Sequence, residues 1–146
     1  MWLRVLMLAA VLALGLAIGV WCRRRDGRLR AASSGQVLTS TDLEHPLGAR
    51  ATLLQISAEF CAPCRAAHRV LQQAAGRLPG VHHVEVDAER RFDLVQRFDV
   101  MRTPALLVLD AHGTVVHRAS GVPKLHEVVA AVENAVEKAA LGGARA

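Results

Sequence analysis

From Val5 to Trp21 the chain reads VLMLAAVLALGLAIGVW without a charge, and Trp2 and Leu3 extend that run across the single Arg4. A helix over Trp2 to Trp21, at about 1.5 Å per residue, reaches roughly 30 Å, the thickness of a bilayer's hydrocarbon core. Tryptophans at both ends match the aromatic belt of a membrane interface. The run is longer than the apolar region of a secretory signal, only Arg4 precedes it, and Arg23, Arg24 and Arg25 follow where a mature terminus would begin. A retained transmembrane anchor over residues 1–22 is therefore expected in preference to a cleaved signal.

Past the arginines the patterning changes. DGRLRAASS, Asp26 to Ser34, is small and polar and reads as a tether, so residues 23–34 are expected to form a basic juxtamembrane linker. The weakly patterned SSGQVLTSTDLEHPLGAR predicts a short strand and a short helix before Pro46 and Gly48. ATLLQIS, Ala51 to Ser57, is a mostly apolar run of the length of a buried strand. From Ala62 the period becomes helical, with Ala67, Val70, Leu71, Ala74 and Leu78 near one face, and Pro79-Gly80 closes it.

VHHVEVD alternates as a strand does, RRFDLVQRF predicts a short amphipathic helix, and PALLVLD and TVVHRAS predict two strands joined by a tight turn at AHG. A last helix follows Pro123, with Leu125, Val128, Val129, Val132 and Val136 on one face. The order β-α-β-α-β-β-α predicts an α/β fold: a mixed sheet with helices on both faces, parallel where helices cross over and antiparallel at the final hairpin.

The net charge of +5 suggests a nucleic-acid binder until it is placed along the chain. Residues 1–30 hold six of the eighteen basic side chains and one of the thirteen acidic ones. The remainder carries twelve of each, without the basic face that nucleic acid requires, so no nucleic-acid partner is expected. Arg23, Arg24, Arg25, Arg28 and Arg30 directly follow the apolar run. By the positive-inside rule they place the C-terminal domain in the cytoplasm, in a single-pass cell-membrane protein; an extracytoplasmic domain is the alternative.

Cys61 and Cys64 stand two residues apart where the apolar strand gives way to the helix. A helix N-terminus presents free N–H groups and about half a positive charge, which stabilises a thiolate at Cys61 and makes it the attacking residue. Cys64, on the first turn, is near enough to attack a mixed disulfide at Cys61, and Pro63 there removes only an N–H that had no partner. Zinc is a rival use of the pair, with His68, His82 or His83 recruited, but no second CxxC or HxxxH is present. A purely structural disulfide is a second rival, closing too short a loop to remove much chain entropy. Redox exchange is the reading a CxxC beside a βα pattern favours.

AEFCAPCR around the cysteines, VEVDAE at Asp87, FDVMRTPALLVLD about forty residues after Cys64, and Gly121 before the last helix resemble the thioredoxin family over roughly Gly35 to Ala140. The resemblance implies a three-layer thioredoxin-like domain over 35–140, with 141–146 left as a flexible tail. It implies a cis Thr103–Pro104 bond facing the cysteines, with Thr103 supplying backbone groups that pair with an extended substrate. Phe60, Ala62, Pro63 and Gly121 would border that docking surface. The family implies protein disulfides as substrates, a reductase as electron donor, and no cofactor or metal beyond the cysteine pair. The expected function is a membrane-tethered thiol–disulfide oxidoreductase acting as a reductase; the alternative is a redox-sensing or inert module for a membrane partner.

The chain also departs from the family pattern. Phe60 and Ser57 stand where tryptophans are usual, Ala62 replaces a glycine, and His83 stands in the place of a frequent lysine. Gln55 occupies the place of a buried aspartate that assists deprotonation of the second cysteine. An amide is no base, so the proton of Cys64 must find another acceptor, for which His83 is one possibility.

Overall fold

Ala51–Ser57 is buried at all seven positions, which requires neighbours on both edges and cover on both faces. The computed structural model describes residues 1–32 and 35–143 and supplies both. After an N-terminal helix α1 (Trp2–Arg25) come β1 (Arg30–Ala31), α2 (Ser40–Leu43) and the buried strand, β2 (Ala51–Ser57). Then follow α3 (Ala62–Arg77), β3 (Val81–Asp87), α4 (Phe92–Arg97), β4 (Ala105–Asp110), β5 (Val115–Ser120) and α5 (Leu125–Gly143). The five strands lie in the order β1-β5-β4-β2-β3.

Strand alternation divides the core into two layers. Leu54, Ile56, Val84, Val86, Ala105, Leu107 and Leu109 face one side of the sheet, covered by Leu94 and Phe98 of the α4 region and by Leu38 and Leu43. Ala51, Leu53, Val81, Leu106 and Val108 face the other, against Leu71 and Ala74 of α3 and Val128, Ala131, Val132 and Ala135 of α5. The result is the expected mixed sheet with helices on both faces. In α5 the inner face is carried by alanines as much as by valines.

Three expectations are corrected. β4 runs antiparallel to β2, with Leu54 opposite Leu107, so only the β2–β3 pair is parallel. The six-residue α4 and its flanking turns bring the chain back in the opposite sense. The stretch expected to be a free tether is docked: Arg30 and Ala31 pair antiparallel with Arg118 and His117 as an edge strand. Gly27 N–H donates to Ser120 at 2.6 Å, and Ala32 N–H to Val116 at 2.9 Å. Ser33 and Ser34 of that stretch lie outside the described residues. So do residues 144–146 of the expected tail, whose first three residues belong to α5.

Two glycines permit these close approaches. Gly27, at φ +76°, lies so near the Val122 carbonyl that a Cβ there would collide with it. Gly113, at φ +80° in the β4–β5 turn, stands equally close to the Leu38 carbonyl. The turn is further tied by Asp110, whose Oδ1 accepts from the N–H groups of His112 and Thr114, each at 2.9 Å.

α1 buries none of its residues and is long and apolar enough to cross a membrane, alone in this among the described residues. Arg23, Arg24 and Arg25 fill its last turn, where the exposed carbonyls favour positive charge. The Arg25 guanidinium lies 3.8 Å from the centre of the Trp21 ring. Asp26 Oδ1 accepts from Arg102 Nη2 at 2.6 Å, linking the end of this helix to the loop before β4.

Candidate active site

β2 ends at Ser57, and the chain crosses Ala58 to Phe60 before α3 starts at Ala62. Cys61 is the N-cap of that helix, extended at φ −122° and ψ 99°, with its sulfur accepting from the Cys64 N–H at 3.1 Å. The sulfur thus takes the role that a serine or aspartate oxygen fills in most caps, directed at the electropositive end of a sixteen-residue helix. Cys61 and Cys64 form a disulfide, with Cα atoms 5.2 Å apart. Cys61 is half-exposed and Cys64 only 3% exposed, so an incoming molecule meets Cys61 first.

The fold brings the distant residues to this point. The Thr103–Pro104 bond is cis, Thr103 Oγ1 lies 3.9 Å from Cys61 Sγ, and Pro104 is buried behind it. Pro104 carbonyl accepts from Gly121 N–H at 2.8 Å, so the third distant residue sits at the same end of the sheet. One side of Gly121 is covered by Asp26 and Gly27 of the docked N-terminal segment. Phe60 is 95% exposed beside the cysteines, and Ala62 and Pro63 are exposed on the first turn of α3. Met101, 85% exposed two residues before Thr103, is a further apolar side chain at this end, without a signal to distinguish it in the sequence.

Behind Cys64 lies a polar network that sequence reasoning did not assemble. Gln55 and Ser57 of β2 and His83 and Glu85 of β3 share the face that α3 covers. Gln55, fully buried, donates one Nε2 hydrogen to the carbonyl of Cys64 at 3.0 Å and shares the other between Ser57 Oγ at 2.8 Å and Glu85 Oε1 at 3.1 Å. Its Oε1 accepts from His83 Nε2 at 3.2 Å. Exchanging the amide's oxygen and nitrogen would set the oxygen against a carbonyl and a carboxylate, so the partners fix its orientation. Ser57 Oγ donates to Glu85 Oε1 at 2.5 Å, and His68 Nδ1 donates to Glu85 Oε2 at 2.7 Å.

The His68 and His83 rings meet edge-on at 4.9 Å. Burial, with the neighbouring His68 acting in the same direction, pushes the His83 pKa down to about 4, and Glu85 opposes the shift only in part. His83 is therefore neutral at pH 7, its Nε2 proton committed to Gln55. An open cavity of about 840 Å³ runs along the β3 side of the cysteines, lined by both sulfur-bearing residues, His68 and Glu85 among others. Among the described residues no three His, Cys, Asp or Glu side chains are grouped as metal ligands.

Residues 36–134 match the model of the family described as thioredoxin. Thioredoxin-2 of Pyricularia oryzae is 30% identical over 81 residues, covering 54% of this chain and 47% of that protein. The matched segment thus spans about half the length of this curated relative. The crystal structure of a chloroplastic thioredoxin z superposes with a TM-score of 0.57 at 18% identity, covering 73% of this chain and 97% of that one. A mutant thioredoxin from Halobacterium salinarum superposes with a TM-score of 0.54 at 17% identity, covering 60% of this chain and 75% of that one. At these identities the structural neighbours establish the fold alone.

Proposed function

Because this chain belongs to the thioredoxin family, we propose that it is a thiol–disulfide oxidoreductase, held at a membrane by α1 and working as a protein-disulfide reductase. One arrangement carries the reading: Cys61 caps the free end of α3 with its sulfur 3.9 Å from Thr103 Oγ1, next to the cis-bonded Pro104, and Cys64 stands within disulfide reach.

In the reduced protein the Cys61 thiolate attacks one sulfur of a substrate disulfide. A Cys61–substrate bond forms and the other substrate sulfur leaves as a thiolate with the electron pair. Cys64, as its thiolate, then attacks Cys61 Sγ; the Cys61–Cys64 bond forms and the second substrate sulfur departs with its pair. Two electrons have passed from the cysteines to the substrate, and a reductase must restore them. Backbone groups at Thr103 hold the extended substrate segment, while Phe60, Ala62, Pro63 and Gly121, with Met101, border it. No further cofactor is required.

The arginines that follow α1 favour a cytoplasmic domain, where reduction is the direction the compartment drives. The decisive measurement is reduction of insulin disulfides by dithiothreitol with the full chain in detergent. The parent accelerates it and Cys61→Ser does not; equal activity of the two would refute the enzyme reading in favour of an inert binding module. For sidedness, a C-terminal phosphatase fusion is expected to be inactive and a cytoplasmic reporter active, and the reverse pattern places the domain outside.

A further inference from the structure

If exchange proceeds as proposed above, Cys64 must lose a proton before it attacks, and Gln55, the buried group behind it, cannot take one. Three titratable side chains surround that amide. His83 gives its Nε2–H to Gln55, is held neutral by burial, and does not line the cavity beside Cys64. Glu85 lines the cavity, but its two oxygens already accept from Gln55, Ser57 and His68. His68 remains. It follows Cys64 by four residues on α3, which puts the two on one face of the helix, and both line the same cavity.

The geometry points to His68 as the general base for Cys64, with Glu85 as the residue that positions it. Glu85 accepts at 2.7 Å from His68 Nδ1, which fixes the Nδ1–H tautomer and leaves the Nε2 lone pair free. Ser57 and Gln55 hold Glu85 in turn, so the buried amide orients the relay without entering it. The proton passes from Cys64 Sγ to His68 Nε2 through a water in the cavity, and Cys64 thiolate attacks Cys61 Sγ as written above. The imidazolium then returns the proton to the departing substrate thiolate or to solvent. Charged or titratable groups facing this path are Cys61, Arg65 and Arg69 from the α3 side, Glu85, Asp87 and His83 from β3, and Glu59 from the loop.

The test follows two thiol releases from a symmetric nitrobenzoate disulfide whose thiol is coloured. It is added in equimolar amount to the reduced full chain in detergent, with the exposed free Cys22 replaced by serine. The first release reports Cys61 attack and the second Cys64 resolution. His68→Gln is expected to leave the first phase unchanged and slow the second by about tenfold or more at pH 7. Its residual rate should climb with hydroxide where the parent's levels off. Glu85→Gln should slow the second phase by a smaller factor and move the pH at which it levels.

A second phase at the parent's rate and pH profile in His68→Gln overturns the relay, and so does equal slowing of both phases, which marks a structural role. If the parent itself releases no second thiol, the exchange reading falls and the relay falls with it. That outcome is distinct from a parent with two phases and an unaffected variant.

Discussion

Gln55 Nε2 donates to the main-chain carbonyl of Cys64 at 3.0 Å, tying the interior strand β2 to the first turn of the helix that follows Cys61 and carries Cys64. The same amide receives the His83 N–H and donates to Ser57 and Glu85. Gln55→Leu removes it, leaves the half-buried His83 N–H without its partner, and takes one bond each from the Cys64 carbonyl, Ser57 and Glu85. A buried polar group left unpaired costs about 1–3 kcal/mol. Ser57 and Glu85 keep the bond between them, so a loss of roughly 1–3 kcal/mol is expected, read as a lower urea midpoint with unchanged slope. A change below about 0.5 kcal/mol would mean that the network contributes little to the fold.

Stability should decline in acid through His83. Its pKa is held near 4 in the folded protein, while an imidazole in the unfolded chain titrates near 6.5. Between these values the unfolded chain binds the proton and the folded one does not, so stability falls as pH drops below about 6.5 and levels below about 4. Allowing for partial exposure, the contribution is roughly 1–2 kcal/mol. Urea midpoints at pH 7 and pH 4.5 should lie further apart for the parent than for His83→Gln, which keeps a donor for Gln55 but does not titrate. Parallel behaviour of the two proteins excludes His83 as the source.

Docking of β1 depends on Gly27. Gly27→Ala forces a side chain into a left-handed backbone and against the Val122 carbonyl, so the N–H to Ser120 and the β1–β5 pairing should be lost together. Trypsin is expected to cleave at Arg28 and Arg30 at least several-fold faster in the variant. Only Leu29 and Ala32 lose packing against the core, so the stability read from the urea midpoint should change by less than about 2 kcal/mol. Equal cleavage rates would show that the pairing does not protect this segment.

What could be read from the chain alone follows from how local each signal is. β2, α3 and the β4–β5 hairpin carry their own period and their own punctuation, in Pro79-Gly80 and in Asp110 to Gly113, and they stand where that patterning put them. β1 has two residues and no period; it is a strand only because β5 offers an open edge, which no local rule reports. The direction of β4 depends on the path around α4, which is a tertiary matter.

At the site, Cys61 and Cys64 were visible as spacing, and the Thr103-Pro104 pair through the family resemblance. The polar network was not, because Gln55 and Glu85 meet through sheet register and His68 through helix packing. The available hints were the polar 83 and 85 positions in VHHVEVD and the four-residue step from Cys64 to His68.

Under the proposed function, the docked edge strand also limits which disulfides the cysteines can reach. Only Asp26 to Leu29 separate α1 from β1, a span of roughly 14 Å at full extension. With α1 in a bilayer, the cysteines sweep a thin disc about the helix axis rather than a sphere of solvent. Disulfides carried by proteins in the same bilayer are then met at high effective concentration by lateral diffusion, and those free in solution only when they reach the surface.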